Sequence, residues 1–265
     1  MSIHLFDVEA NHQFDIPYFE LIYQTITGMS DGIRKPFAHT YIRQGGSGPN
    51  VGKAVYTPPR GSGVVEARME NLIQFMNDDK TYTIDPILKM AICHLQFEAI
   101  HPFRDGNGRT GRLFNIHFLT QTGLLDLPIL FLSKFILDQK EDYYARLAGV
   151  TQGAAWKDWL IFMLNAVENT SSDTYHKIND ILAAKDSILH VLEKETSISR
   201  PESLVEAIFT QPYTKVKHLT DKKIYAENTA RQYLNQLAEM GIVERREIGG
   251  GHYYMNLELY RILGQ

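Results

Sequence analysis

Apolar residues recur at helical spacing through most of the first two thirds of the chain. Phe19 and Ile22 fall on one face of a predicted helix, which Gly28 should end because glycine readily adopts the backbone conformation that closes a helix. A second helix is predicted over residues 85–100, where Asp85 can cap the first turn. The same periodicity predicts further helices from residue 65, from 111 to 123, around residues 143 and 159, and from 173 to 195.

Two stretches break this helical pattern. Between residues 45 and 63, Gly and Pro surround the β-prone run AVYT, which predicts a loop with a small hairpin. The segment TSISRP, residues 196–201, predicts a boundary between domains. After it the pattern reads helix, turn, helix, turn, helix and two strands, with GGG at 249–251 joining the strands. That order predicts a winged helix-turn-helix.

The predicted fold class is therefore mainly α. It consists of a helical bundle with a small β-hairpin, followed by a C-terminal winged helix-turn-helix domain. The predicted domains are residues 1–195 and 196–265. A chain of 265 residues is long enough to build both cores.

Composition narrows the class of protein. The chain is 44% hydrophobic and 22% charged, which is ordinary for a globular protein, and no apolar run approaches the roughly 20 residues that a membrane span needs. Its N-terminus lacks the basic and apolar regions of a secretory signal. Cys93 is the single cysteine, which excludes an internal disulfide and fits a reducing compartment. We therefore expect a cytoplasmic protein that does not engage a membrane.

The segment HPFRDGNGRTGR, residues 101–112, concentrates groups that suit phosphate chemistry. Gly106 and Gly108 permit a tight backbone turn before a helix that should start near Arg109. Unpaired backbone N–H groups at the start of a helix attract anions. Arg109 and Arg112 lie three residues apart, so both can face the first turn and hold successive phosphates. The segment therefore predicts a polyphosphate site.

Three other side chains of this segment add catalytic chemistry. Asp105 lies on the loop side, where one carboxylate beside phosphates commonly holds magnesium. His101 flanks the turn, and the ordinary pKa of histidine suits proton removal near neutrality. Asn107 can donate a hydrogen bond to a phosphoryl oxygen as negative charge develops there. By contrast, His94 precedes Glu98 by one helical turn, which predicts a structural hydrogen bond between the two.

This arrangement resembles the signature of the Fic family, His-x-Phe-x-Asp/Glu-Gly-Asn-Gly-Arg-x-x-Arg. Every specified position is matched, by His101, Phe103, Asp105, Gly106, Asn107, Gly108, Arg109 and Arg112. The phrases HLQFEAIHPF, AVYTPP, YYARL and WKDWLIFML also look like the family's, so the similarity covers roughly residues 15–170. The predicted winged helix is similar to a C-terminal extension of many bacterial Fic proteins.

The resemblance implies a protein AMP-transferase, which moves AMP from ATP to a Ser, Thr or Tyr hydroxyl of a target protein. His101 would take the hydroxyl proton, and Asp105 would hold Mg²⁺ between the α- and β-phosphates. Asn107 and the neighbouring backbone would bind those phosphates, while Arg112 would orient the γ-phosphate. The implied nucleotide-binding set is Asp105, Gly106, Asn107, Gly108, Arg109, Thr110, Gly111, Arg112, Tyr143 and Tyr144.

Two parts of the resemblance lie outside the motif. The run Ala54, Val55 and Tyr56 resembles the family's flap, which pairs with an extended target segment by strand addition. Tyr143 and Tyr144 match the positions that border the adenine. Packing within a core is an equally good interpretation of this tyrosine pair.

Other functions stay open at this point. The same scaffold serves removal of AMP and transfer of other phosphate-containing groups, and the non-enzymatic alternative is a winged-helix transcriptional regulator that senses nucleotide. From Arg200 onward the chain has 9 Lys/Arg and 8 Asp/Glu. A net charge of +1 is a weak footprint for DNA binding, so protein docking or dimerisation fits the winged helix equally well.

The chain lacks a common inhibitory pattern of the family, Ser/Thr-x-x-x-Glu-Gly/Asn. No Glu followed by Gly or Asn has a Ser or Thr four residues earlier. We therefore expect an N-terminally shortened form, an inhibitory partner or self-association, or another restraint on Arg112.

Overall fold

The computed structural model describes residues 13–38, 41–43, 52 and 54–264. Within these ranges the chain forms two compact units, one ending at Ser172 and the other beginning at Asp173. The mainly α class is confirmed, because helices account for most of the residues in both units. The domain boundary expected between residues 195 and 196 stays a prediction.

The first unit is a bundle of helices with one short hairpin. Its helices are α1 (Ile16–Thr27), α2 (Val64–Asn77), α3 (Pro86–Ile100), α4 (Asn107–Gln121), α5 (Ser133–Asp138), α6 (Lys140–Gly153) and the first part of α7 (Trp156–Glu195). Strands β1 (Ile42–Arg43) and β2 (Ala54–Tyr56) pair antiparallel, with Ile42 opposite Tyr56. Residues 45–51 and 53 of the predicted loop lie outside the described residues.

Helix α3 is the central helix of the first unit, and most of its length is buried. It packs against α2 and α4, and α1 packs against α4. Phe19 of α1 stacks on Phe97 of α3 with the ring centroids 5.1 Å apart, and Tyr23 stacks on Phe103 at 4.3 Å. Trp159 of α7 is fully buried, and its Nε1–H donates to a backbone carbonyl of α3. This packing holds the end of α3, where the HPFRDGNGRTGR segment begins.

The second unit combines helices with a three-stranded antiparallel sheet. After the last part of α7 come α8 (Pro201–Phe209), β3 (Tyr213–Thr214), α9 (Val216–Asp221), α10 (Glu227–Glu239), β4 (Glu244–Ile248), β5 (Gly251–Met255) and α11 (Leu257–Gly264). The strand order is β3, β5, β4, and Arg245 lies opposite Tyr254. Leu204, Leu219 and Leu234 bring α8, α9 and α10 into one buried core. Three helices, α8 to α10, followed by the hairpin of β4 and β5 form the order expected of a winged helix.

Local signals located several helix ends correctly. Asp85 caps α3 by accepting from the backbone N–H groups of its first turn, and Gly28 ends α1 with φ of 71°. The two helices predicted around residue 159 and over residues 173–195 are one continuous helix, α7, because neither Gly nor Pro interrupts it. Strand β3 and helix α11 were not predicted. Among the described residues, no helix combines the length and the apolar character that crossing a bilayer requires.

Candidate active site

The candidate site lies where α3 ends and α4 begins. His101 follows α3 with a left-handed backbone, φ 51° and ψ 60°, and its N–H donates to the Phe97 carbonyl at 2.9 Å. Gly106 has φ of 74° immediately before α4. A Cβ at Gly106 would lie 2.7 Å from Cγ2 of Thr27, so both conformation and space favour glycine there. These two left-handed residues turn the chain between two packed helices.

The side chain of His101 is oriented as a proton acceptor. Its Nδ1 lies 3.3 Å from the carbonyl oxygen of Glu98, which can only accept a hydrogen bond, so Nδ1 carries the proton of the neutral ring. Nε2 is then the basic nitrogen. Burial lowers the pKa of His101 to about 4, against the opposing effects of the Glu98 carbonyl and of Asp105. The ring is therefore neutral at pH 7 and can receive a proton at Nε2.

The first turn of α4 offers backbone donors to an anion. Gly106 at the N-cap has no side chain that could accept from them. The N–H groups of Asn107, Gly108 and Arg109 precede the first residue with a carbonyl partner inside the helix, Thr110, whose N–H donates to the Gly106 carbonyl at 2.9 Å. The positive end of the helix dipole adds to the attraction. The turn therefore suits a phosphate group.

Two polar side chains of the motif brace the loop. Asn107 is buried, and its Oδ1 accepts from the Phe103 N–H while its Nδ2 donates to the Phe103 carbonyl, both at 2.8 Å. Thr110 is also buried, and its hydroxyl donates to the Gly106 carbonyl at 3.0 Å. Each carboxamide nitrogen carries two hydrogens. The interpretation of Asn107 as a phosphoryl donor therefore depends on its second Nδ2 hydrogen.

The two motif arginines have different surroundings. Nη2 of Arg109 lies 3.9 Å from Oδ2 of Asp105, and both side chains are largely exposed, so this ion pair is weak. Arg112 is partly buried, and its Nε donates to the hydroxyl of Ser133 at the start of α5 at 3.2 Å. Arg112 is therefore anchored between two helices, whereas Arg109 stays accessible to a ligand.

Asp105 is suited to bind a divalent cation together with phosphate oxygens. Its side chain is 70% exposed, so the carboxylate is accessible. No group of three or more His, Cys, Asp or Glu side chains comes together as a complete metal site in the described part of the chain. Mg²⁺ is commonly bound by one or two carboxylates, with phosphate oxygens and water completing its shell. A single accessible carboxylate beside an anion-binding helix start fits that mode.

Sequence reasoning missed Glu98 as part of this site. Glu98 is buried, its Oε1 has no hydrogen-bond partner among the described residues, and its Oε2 lies 4.0 Å from Nδ1 of His101. Burial raises the pKa of the Glu98 carboxyl to about 7, while the positive charge of Arg112 acts in the opposite direction. A Cβ at Gly111 would lie 3.0 Å from Oε1. The sequence signal that could have identified Glu98 is an acidic residue within a mostly apolar helix.

The predicted hydrogen bond between His94 and Glu98 is wrong. Nε2 of His94 instead lies 3.1 Å from the hydroxyl oxygen of Tyr143, and burial lowers the pKa of His94 to about 4. Tyr143 is itself buried within the aromatic core, which favours packing over adenine contact for that residue. Tyr144 is partly buried at the edge of the same core. It is therefore the better placed of the two tyrosines to border a ligand.

Arg34 is a second residue that sequence reasoning missed. Its buried guanidinium donates from Nε to the His101 carbonyl at 2.8 Å, and from Nη2 to the carbonyls of Pro59 at 2.6 Å and Ile100 at 3.3 Å. Its backbone N–H donates to the Pro102 carbonyl at 2.8 Å. Arg34 therefore ties the end of α3 to the segment that follows β2. No local pattern marks it, because its partners are carbonyls far away in sequence.

Two family models match the chain. Residues 5–119 match the Fic/DOC family, and residues 184–259 match the C-terminal domain of SoFic-like protein adenylyltransferases. The chain contains a Fic domain. All eight specified positions of the Fic signature fall in or beside the loop between α3 and α4, at the candidate site described above.

Curated relatives share the Fic domain with this chain. Protein adenylyltransferase fic-1 of Caenorhabditis elegans is 30% identical over 137 residues, which is 51% of this chain and 24% of that protein. A probable protein adenylyltransferase of Aquifex aeolicus is 36% identical over 88 residues, 33% of this chain and 27% of that protein. The chain thus spans about a quarter of the length of these relatives. A crystal structure of a Fic family protein from Desulfovibrio desulfuricans shares the fold, with a TM-score of 0.52 and 22% identity over 95% of this chain and 70% of that one.

The flap expected in the Fic domain corresponds to β2. Its backbone lies beside α6 as well as pairing with β1. The side chain of Tyr56 is partly buried against the core of the first unit, whereas the side chains of Ala54 and Val55 lie outside the described residues. Through Pro59 and Arg34 the segment after β2 is hydrogen-bonded to the loop that holds His101. Its role in docking a target stays a prediction.

Proposed function

We propose that this chain is a protein AMP-transferase, which moves AMP from ATP to a Ser, Thr or Tyr hydroxyl of a target protein. The observation that carries the proposal is that one loop joins a basic Nε2 on His101 to the uncapped start of α4. A base beside an anion site is what transfer of a phosphate-containing group to a hydroxyl requires. The relatives named protein adenylyltransferases support ATP as the donor.

In the proposed reaction, His101 removes the proton of the target hydroxyl as its oxygen attacks the α-phosphorus of ATP. The bond from that phosphorus to the oxygen bridging it to the β-phosphate breaks. Pyrophosphate leaves, and AMP remains on the target. The low pKa of His101 supports this role, because the ring is unprotonated at neutral pH before the hydroxyl arrives.

The remaining motif residues bind the triphosphate in this proposal. The backbone at the start of α4, with Asn107, binds the α- and β-phosphates, and Arg112 orients the γ-phosphate. Asp105 would hold Mg²⁺, which neutralises charge on the phosphates when bound. Tyr144 borders the adenine, because the neighbouring Tyr143 is buried in the core.

Target docking is the second part of the proposal. An extended target segment pairs with the backbone of the flap residues Ala54, Val55 and Tyr56 by strand addition. Main-chain hydrogen bonds of this kind accept many sequences, and they place the attacking hydroxyl in line with the α-phosphorus. The hydrogen bonds of Arg34 support this arrangement, since they hold the segment after the flap against the loop of the base.

A labelling experiment tests the proposal. The purified chain is incubated with a cell lysate, Mg²⁺ and ATP labelled at the α-phosphate, and labelled proteins are identified by mass spectrometry. We expect covalent AMP on Ser, Thr or Tyr with the wild-type chain and with His176→Ala, an exposed histidine on α7, and none with His101→Ala. Full labelling by His101→Ala, or label that enters proteins from the γ-phosphate instead, would contradict the assignment.

A further inference from the structure

The outer face of α10 is composed mainly of amide and guanidinium side chains, with one carboxylate, Glu239. A shallow depression on this face is lined by Asn228, Arg231, Gln232, Asn235, Gln236 and Glu239. Leu234 and Leu237, on the other side of the helix, are buried in the core of the second unit. Arg, Asn and Gln carry the donors and acceptors that pair with the edges of bases in the major groove of DNA. The exposed face of α10 therefore has the chemistry of a base-reading helix.

A cationic cleft of about 290 Å³ flanks this face of α10. Its charged and polar lining residues are Lys215, Lys217, Arg231, Asn235, Arg245 and His252. The lysines come from the start of α9, Arg231 from α10, Arg245 from β4 and His252 from β5, so four elements converge on the cleft. Within the described part of the chain, no Asp or Glu lines the cleft. A surface of this kind favours phosphate groups.

The net charge of the second unit is small although positive side chains are concentrated in the cleft. Several cations away from the cleft are paired with acids, including Arg246 with Glu244 and Arg261 with Glu258 at 2.9 and 2.7 Å. In the cleft, Lys215 Nζ instead donates to the neutral hydroxyl of Tyr253 at 2.7 Å. Arg231 pairs with Glu227 of its own helix at 2.7 Å, but Lys215, Lys217 and Arg245 form no ion pair with an acid among the described residues. Their positive charge is therefore left unbalanced in the cleft.

We propose that this side of the second unit binds duplex DNA, with α10 in the major groove and the cleft against the phosphate backbone. A helix about 10–12 Å across matches a B-DNA major groove about 12 Å wide. From Asn228 to Gln236 the polar face extends about 12 Å along the helix axis, enough to contact three to four base pairs. Duplex RNA fits less well, because its major groove is too deep and narrow for side chains to read.

DNA binding is measured on the full chain without ATP, so that the result is independent of AMP transfer. The probe is a fluorescently labelled duplex of random sequence, and its anisotropy is followed at salt concentrations from 50 to 200 mM. We expect saturable binding that weakens as salt rises, because phosphate contacts release counterions. Binding of single-stranded DNA or duplex RNA as tight as that of duplex DNA would overturn the proposal, as would no binding of duplex at 50 mM salt.

Paired variants locate the binding surface. Lys217→Ala/Arg245→Ala removes two cations from the cleft, and Lys185→Ala/Arg261→Ala removes two cations that pair with acids elsewhere in the same unit. The cleft variant should weaken binding about tenfold or more and reduce the slope of log K against log salt by about two, with the control unchanged. Equal binding by both variants, with circular dichroism confirming that each is folded, would overturn the proposal.

Discussion

Removing the guanidinium of Arg34 should weaken both the fold and the site. In Arg34→Ala the carbonyls of His101, Ile100 and Pro59 lose their shared donor inside the protein, where water replaces it poorly. Hydrogen bonds to a charged group contribute about 1.5–3 kcal/mol each, and removing the group also relieves its cost of burial. We therefore expect the free energy of unfolding to fall by about 2–4 kcal/mol.

The same variant should change catalysis through His101. Arg34 supports the left-handed turn at His101, and its positive charge is one cause of the lowered pKa of that ring. Without it the rate of AMP transfer should fall, and the acid limb of the pH–rate profile should move to higher pH. Arg34→Lys keeps the positive charge but has fewer hydrogen-bond donors. It should therefore restore the pH–rate profile more fully than it restores the free energy of unfolding.

Urea unfolding at pH 7.5 and labelling rates across pH test these expectations. Arg68→Ala, an exposed position on α2, is the control and should change stability by less than about 0.5 kcal/mol. If Arg34→Ala were as stable as the control and kept the wild-type pH profile, the role assigned to the guanidinium would be refuted.

Three further outcomes follow from the packing around the site. Gly111→Ala should lower the free energy of unfolding by about 1–3 kcal/mol, because its Cβ would lie 3.0 Å from Oε1 of Glu98. In the control Gly153→Ala the added Cβ meets nothing within 4 Å, so this variant should not be destabilised. Similar urea midpoints for the two variants would contradict this expectation. In the folded protein the pKa of Glu98 is raised from 4.5 to about 7, so the folded state keeps a proton that the unfolded chain releases. The free energy of unfolding therefore falls as pH rises through this range. Glu98→Gln should therefore gain stability relative to wild type between pH 5 and 8, by up to about 3 kcal/mol, and parallel stability–pH curves would exclude this. Asn107→Ala should cost about 2 kcal/mol in thermal unfolding, whereas Asn169→Ala, which is exposed, should cost little, and an equal loss would argue against the bracing role.

Local chemistry was sufficient to predict the turn between α3 and α4. Gly106 requires a left-handed backbone and the first turn of α4 leaves its donors unpaired, and both follow from residue types and spacing. The same local rules located the N-cap of α3 at Asp85. They failed at the junction inside α7, where polar residues suggested separate helices although no helix breaker is present.

The hydrogen-bond partners of Arg34 and His94 are set by tertiary contacts, which local sequence patterns do not show. Arg34 bonds to carbonyls more than sixty positions away in the cases of Ile100 and His101, and no periodicity reports such partners. His94 was assigned to Glu98 by helical spacing, but the core offered it the hydroxyl of Tyr143 instead. Side chains on neighbouring turns need not bond to each other when another helix supplies a partner.

The most direct test of the central claim separates ATP binding from AMP transfer in His101→Ala. Binding is measured by calorimetry with ATP and Mg²⁺, and transfer by label from the α-phosphate reaching protein hydroxyls. We expect His101→Ala to bind ATP with nearly wild-type affinity and to transfer no label, because the base is lost while the start of α4 is retained. A variant that binds ATP and still transfers label at the wild-type rate would contradict it.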